Sequence, residues 1–156
     1  MEPRLNLFAN PALGKALKHI VAAAKAVENA GVPAATHQLM LIRASQINGC
    51  AGCLDMHTKD AAAAGETSVR INLVAGWREA KVFTEAEKAA LALTEAGTRI
   101  ADGTGVSDEV WAAAAKHYDE SQLGALVATI AIINSFNRIN VMTQQPAGDY
   151  EPGMYS

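Results

Sequence analysis

The sequence predicts an all-α protein, a single-domain bundle of about six to seven helices. Three observations carry this. Apolar residues recur at intervals of three and four rather than two, no segment alternates apolar and polar side chains over five positions with β-branched enrichment, and thirty-two of the 156 residues are alanine, the strongest helix former. Glycine and proline cut the chain into lengths suited to helices.

Pro11 suits the first turn of a helix running to about Asn29, with Leu13, Leu17, Ile20, Val21 and Val27 on its core side and Gly31 as its stop. Pro33 opens a second helix, about Ala34 to Gln46, which carries Leu39 and Ile42 and is broken by Asn48-Gly49. A third spans about Cys50 to Ala64 and ends at Gly65; a short fourth begins near Thr67 or Ser68 and ends around Gly76. Thr84 and Glu87 have the spacing of a capping box, so a fifth helix runs from there to about Ile100, followed by a turn over Asp102-Gly103-Thr104-Gly105. Ser107 caps a sixth helix, with Asp108 and Glu109 in its first turn, that carries Trp111 and ends near His117. The last helix, about Glu120 to Thr143, is the most apolar. Its stretch from Leu123 to Ile133 is apolar nearly all round and has to be covered on every side, for which six short alanine-rich helices give limited cover. A homo-oligomer is therefore expected, and size-exclusion chromatography with light scattering at micromolar concentration should show no clean monomer. The helical domain takes in residues 1–145. Residues 146–156, with Pro146, Gly148, Pro152 and Gly153 in a polar setting, form a tail expected to be extended and ordered only against a neighbour.

Composition narrows the function. Thirteen Lys and Arg against sixteen Asp and Glu give a net charge of −3, so no cationic excess exists to attract nucleic acid or an anionic membrane. The stretch from Leu123 to Ile133 is shorter than a bilayer span and runs into Asn134, Asn137 and Arg138, so no membrane partner is expected. Met1 to Asn10 lacks the basic stretch and apolar run of a secretory signal, and the expected compartment is the cytoplasm. There the pair Cys50 and Cys53, the only cysteines, points to catalysis or metal binding before a structural staple.

Those cysteines lie in the run Asn48-Gly49-Cys50-Ala51-Gly52-Cys53-Leu54-Asp55-Met56-His57. With a helix starting at or just after Cys50, both sulfurs lie near unpaired backbone N–H groups, whose partial positive charge favours thiolate over thiol. Three residues apart, the two are within reach of a disulfide. His57 stands one turn beyond Cys53 and can take its proton or return one to a departing hydroxide. The spacing thus assigns Cys53 to attack a peroxide and become a sulfenic acid, and Cys50 to condense with it to a disulfide that an external dithiol reopens. The cycle needs no metal or flavin. Other readings are a zinc site completed by His37 or His19, for which three ligands from one helical stretch is an unusual spacing, and a pair of small core cysteines. A thioredoxin fold fits less well, because the motif follows a helix rather than a strand.

The run Ser45-Gln46-Ile47-Asn48-Gly49-Cys50-x-x-Cys53-x-x-Met56-His57 resembles the signature of the alkylhydroperoxidase AhpD-like proteins of the carboxymuconolactone decarboxylase superfamily. Trp77-Arg78-Glu79, Phe83, Glu85-x-Glu87-Lys88-Ala89-Ala90-Leu91 and Ile132-Ile133-Asn134-Ser135-Phe136-Asn137-Arg138 extend the likeness over roughly residues 10–145. The resemblance implies an all-helical homotrimer or homohexamer with thiol-dependent peroxidase chemistry, in which Cys53 attacks, Cys50 resolves and His57 belongs to a proton relay. The expected partners are a small hydroperoxide and an external dithiol of thioredoxin-like or lipoyl type. Alternatives are a redox-sensing or binding homo-oligomer without turnover and a decarboxylase-like enzyme acting on a small carboxylate.

Two departures stand out. Where the family has a relay glutamate, twelve positions before the first cysteine, this chain has Gln38, which hydrogen-bonds but accepts no proton. Loss of a general base commonly costs about a hundredfold in rate, so weakened activity is expected. Gly52 replaces an aromatic residue common in relatives and is expected to widen access to the sulfurs. His37, about 100° round the helix from Gln38, is a poor substitute, and Asp55 and Glu66 are the candidate replacement carboxylates. Ser45, two turns from Gln38 on the same face, is a candidate hydrogen-bonding wall of the substrate pocket. His19 and His117 read as structural, Met40, Met56 and Met142 as filling for a core or subunit interface, and Trp77 and Trp111 as packing anchors.

Overall fold

The computed structural model describes residues 2–28 and 30–155. Among them run α1 (Pro11–Val27), α2 (Ala34–Asn48), α3 (Ala51–Ala63), α4 (Ser68–Leu73) with a 3-10 turn Val74–Gly76, α5 (Glu85–Thr98) with a 3-10 turn Ile100–Asp102, α6 (Asp108–Ala115) and α7 (Glu120–Thr143), and no strand. The expected end of α1 at Asn29 falls on a residue outside those described; the helix itself closes at Val27.

Caps set most of these limits. Asn10 accepts from the Leu13 amide and Ser107 from the Val110 amide, while Thr84 with Glu87 and Asp119 with Gln122 form reciprocal capping boxes. α2 packs against α3, α5 and α7 and so buries side chains on most of its circumference, Leu39, Met40, Ile42 and Ala44 among them. Met40 enters a cluster with Leu93, Leu126 and Ile130; Leu39 and Ile42 enter a second with Trp77, Phe83 and Leu91. α5 and α7 approach closely at Gly97, where a Cβ would lie 2.9 Å from the Ile130 Cγ2, so Gly97→Ala would require the Ile130 side chain or the helices to shift.

α7 is long and apolar enough to cross a membrane by length and composition. Here it packs on α1, α2 and α5, and it carries Thr129, Asn134 and Asn137 in the interior. Their amides are satisfied across the helix interfaces. Asn48 Nδ2 donates to both Asn134 Oδ1 and Asn137 Oδ1 at 2.9 Å, Asn137 Nδ2 to Ser45 Oγ at 3.0 Å, and Asn134 Nδ2 to Thr98 Oγ1 at 3.0 Å. Buried amides paired this way keep α2, α5 and α7 in register. Trp77 is buried as expected, whereas Trp111 is half-exposed; Met142 is outside the core, on the surface of the single chain.

The tail departs from expectation. Residues 146–155 lie on α3 of their own chain rather than waiting for a neighbour. Asp55 Oδ2 accepts from the amides of Gly148 at 2.6 Å and Tyr150 at 3.2 Å, and Lys59 Nζ donates to the carbonyls of the same two residues. The Tyr150 hydroxyl donates to Asp60 at 2.8 Å, and its ring is buried. Three side chains of one helical face, Asp55, Lys59 and Asp60, therefore strap the carboxyl end down.

Candidate functional site

The cysteine pair is placed by two consecutive helix ends. Gly49 takes the left-handed conformation (φ 65°, ψ 33°) and closes α2: its amide bonds to the Gln46 carbonyl at 3.3 Å, and the Cys50 amide bonds to the Ser45 carbonyl at 3.0 Å. That is a Schellman motif, which glycine enters without the Cβ penalty of other residues, and it lengthens α2 to Asn48. The chain leaves it already aimed as the start of α3. Cys50 is the N-cap, and its Sγ accepts from the Cys53 amide at 3.3 Å.

Cys50 and Cys53 are joined as a disulfide, with their Cα atoms 5.3 Å apart. Both are almost fully buried, at 1% and 2% exposure, yet Cys50 lines a cleft of about 150 Å³. Residues 49–52 form one wall and Asn140, Val141, Gln144 and Gln145 the other. Cys53 is not among the lining residues, and its Sγ accepts from Asn140 Nδ2 at 3.3 Å. Each sulfur thus has one N–H donor of its own, and only Cys50 reaches the cleft.

Gly52 lines the cleft beside Cys50. The Pro146 carbonyl lies 3.5 Å from where a Cβ on Gly52 would be, an ordinary contact, so the strapped tail borders the cleft at this point.

His57 is buried on α3 at 8% exposure, and its Nδ1 has no hydrogen-bond partner. Burial pushes its pKa down to about 4, the Asp60 carboxylate opposes the shift and His37 adds to it, so the ring is neutral at pH 7. The sign of the linked stability follows. The unfolded chain protonates this ring near the ordinary 6.5 and the folded chain only near 4, so stability is complete above about pH 7, declines as pH falls between those values and then levels. The drop is on the order of 3 kcal/mol. Urea midpoints measured from pH 7 to pH 4 should therefore fall more steeply for the wild type than for His57→Gln, and equal slopes would contradict the burial argument.

Gln38 Oε1 is also buried without a hydrogen-bond partner. Among the described residues, no hydrogen bond joins Gln38 to His57 or to either sulfur; the relay is unassembled in this oxidised form. Ser45 does not wall the cleft. It is fully buried, donates to the Leu41 carbonyl at 2.7 Å and accepts from Asn137, which makes it part of the α2–α7 amide network. The candidate replacement carboxylates are committed elsewhere, Asp55 to the tail and Lys59, Glu66 to Arg70. Two groups escaped the sequence reading. Asp60, three residues beyond His57 and so on its side of α3, is the carboxylate felt by the imidazole; the i, i+3 spacing was the available signal. Asn140 is eighty-seven residues from the sulfur it bonds, and nothing local marks it.

A charge cluster away from the sulfurs ties α5 to α2. Glu95 on α5 accepts from Arg43 on α2 at 2.5 and 2.7 Å, from Trp77 Nε1 at 2.9 Å and from Arg78 at 2.6 Å. Burial opposes its ionisation, but those donors outweigh burial and hold the carboxyl below its ordinary range.

Residues 8–96 match the carboxymuconolactone decarboxylase family model. The chain is 44% identical over 117 residues to the uncharacterized protein YdfG of Bacillus subtilis, an overlap of 75% of this chain and 79% of that protein. Among solved structures it is similar to a protein of unknown function from Agrobacterium tumefaciens provisionally named antioxidant defence protein AhpD. The TM-score is 0.88 at 32% identity, over 96% of this chain and all of the other. Two more distant likenesses carry the fold alone: the debrominase Bmp8 (TM-score 0.78, 21% identity, 92% of this chain and 75% of that one) and an uncharacterized peroxidase-related protein with an alkylhydroperoxidase AhpD core from Ralstonia eutropha (TM-score 0.75, 15% identity, 87% and 72%).

Proposed function

Because the chain belongs to the carboxymuconolactone decarboxylase family and has the AhpD-like fold, we propose that it is a thiol-dependent oxidoreductase that reduces a small hydroperoxide at Cys53 and is regenerated through Cys50 by an external dithiol. The observation that supports this most directly is the Cys50–Cys53 disulfide at the head of α3, with Cys50 among the residues lining a cleft and a neutral His57 one turn beyond Cys53. Size sorts the two half-reactions. A peroxide is small enough to reach the inner sulfur, whereas a protein-borne or lipoyl dithiol meets the cleft-lining one.

In the reduced protein the Cys53 thiolate attacks the terminal peroxide oxygen, and the O–O bond breaks with its electron pair on the alkoxide, which takes up a proton. The Cys53 sulfenic acid then condenses with the Cys50 thiol, expelling water and closing the disulfide. His57, uncharged at pH 7, accepts the thiol proton and hands it to the departing oxygen. A homotrimer or homohexamer in the cytoplasm is part of the proposal, and the exposed Val127 and Met142 on α7 are apolar surface that subunits would cover.

The test is a thiol count. One equivalent of alkyl hydroperoxide should consume both thiols of the reduced protein and yield the Cys50–Cys53 disulfide in its peptide map; two thiols surviving oxidant would refute the reading. The orphaned Gln38 acceptor favours a second reading, a redox sensor that oxidises once and turns over poorly. Gln38→Glu separates the two. Restoring an acid there should raise dithiol-driven turnover by about a hundredfold, and an unchanged rate would show that no proton passes through position 38.

A further inference from the structure

Asn140 stands apart from the other residues at the cleft because its side-chain amide is hydrogen-bonded to a reacting atom. We infer that Asn140 holds the Cys53 sulfur as a thiolate when the disulfide opens, and that an incoming thiol is thereby directed onto Cys50. The inference rests on the dithiol reading of the pair and names the group that makes its two sulfurs unequal.

Thiol–disulfide exchange requires the attacker to approach one sulfur while the other departs with the electron pair. Two factors bear on which sulfur is which. The helix N-terminus and the Cys53 amide at 3.3 Å stabilise negative charge on Cys50 and by themselves would make it the better leaving group. Access works the other way, because Cys50 lines the cleft and Cys53 does not. For the open route to be productive, the buried sulfur needs its own means of carrying charge, and Asn140 Nδ2 at 3.3 Å supplies it. A sulfur in a disulfide is a weak acceptor, whereas a thiolate takes a charge-assisted bond, so this contact strengthens as the S–S bond breaks.

A thiolate of the external dithiol attacks Cys50 Sγ, a mixed disulfide forms there, the Cys50–Cys53 bond breaks, and the electron pair leaves on Cys53 Sγ against the Asn140 N–H. The second thiol of the reductant then attacks its own linked sulfur and releases Cys50. The reductant departs as a disulfide, and its two protons remain with the cysteine pair.

The position of Asn140 in the last turn of α7 is fixed from both sides. Asn137, one turn earlier, is locked to Ser45 and Asn48 of α2, and the Asn140 carbonyl accepts from the Gln145 amide at 3.0 Å where the tail leaves the helix.

The experiment needs neither peroxide nor turnover, so it fails separately from the proposed activity. In a Cys50→Ser background, the Cys53 thiol is titrated by its thiolate absorbance and by the pH dependence of iodoacetamide alkylation. Asn140→Leu, which keeps the size and removes the donor, should raise the Cys53 pKa by about one unit; Asn140→Asp, which adds a negative charge, should raise it by at least as much. Circular dichroism establishes that each variant is folded, and the aspartate variant serves where leucine disturbs α7. In a second arm, oxidised wild type is mixed with a small dithiol and quenched with acid and N-ethylmaleimide. Peptide mapping should find the reductant linked to Cys50 and the maleimide on Cys53. Folded variants with an unshifted Cys53 pKa, or a reductant found on Cys53, would overturn the inference.

Discussion

Cys53→Ser is expected to reduce dithiol-driven peroxide turnover to the background rate, a loss of at least about a thousandfold, while Cys50→Ser consumes one equivalent of peroxide and stops. The asymmetry follows from the roles. A serine hydroxyl at position 53 remains protonated near neutral pH and offers no nucleophile to the peroxide, even with His57 beside it. A serine at position 50 leaves the attack intact but removes the group that condenses with the sulfenic acid, so the oxidised product persists and gains one oxygen atom in its intact mass. A coupled steady-state assay and mass spectrometry of each variant after stoichiometric peroxide read the two outcomes. Turnover that survived in Cys53→Ser would transfer the attack to Cys50, the sulfur that already has the helix N-terminus and the cleft.

The largest expected loss of stability lies away from the sulfurs. Glu95→Leu should cost about 3 to 5 kcal/mol, because the carboxylate answers four donor contacts from Arg43, Trp77 and Arg78, and its removal leaves a largely buried guanidinium without its counter-charge, holding only Gln46, and a buried indole N–H unpaired. In a chain of this length that is a fall of about 10 °C or more in the thermal midpoint. Glu95→Gln keeps an acceptor and loses only the charge, so it should cost a fraction of that. Urea unfolding of both variants measures the difference, and a leucine variant within about 1 kcal/mol of wild type would show that water already screens the cluster. Arg43 lies one and a half turns before the end of α2, so this ion pair also anchors the helix that delivers Cys50.

The helices were legible because their signals are local. Thr84 with Glu87, Ser107 ahead of two acids, and Pro11 and Pro33 at helix starts each act within one turn, and the ends of α7 were read at the residues the structure gives. Boundaries shifted where the terminating geometry spans both sides of the end, as at Asn48, which the Schellman closure at Gly49 keeps inside α2. The neighbourhood of Cys50, Cys53 and His57 was legible for the same reason, since caps and i, i+4 spacing lie along one segment. What stayed hidden was carried by distant pairs. Asp55 and Lys59 look like an ordinary surface ion pair until Gly148 and Tyr150 arrive, Ser45 looks like a pocket wall until Asn137 claims its hydroxyl, and Asn140 has no reason to be noticed without the fold. The tail was misjudged on its glycines and prolines, whose low propensity says nothing about Tyr150 between them or the acids of α3 that receive it.

The amide ladder of Asn48, Asn134, Asn137 and Ser45 works as a detent between α2 and α7. Two greasy helices can slip by a turn, roughly 5.4 Å, and still find apolar partners, but each of these side chains would then be stranded at about 1 to 3 kcal/mol apiece. One axial setting survives. Since α2 runs straight into one sulfur and α7 carries the N–H that touches the other, the detent also sets the spacing of that contact, and loosening a hydrogen bond deep between two helices should disturb thiol acidity at their far end before it unfolds anything.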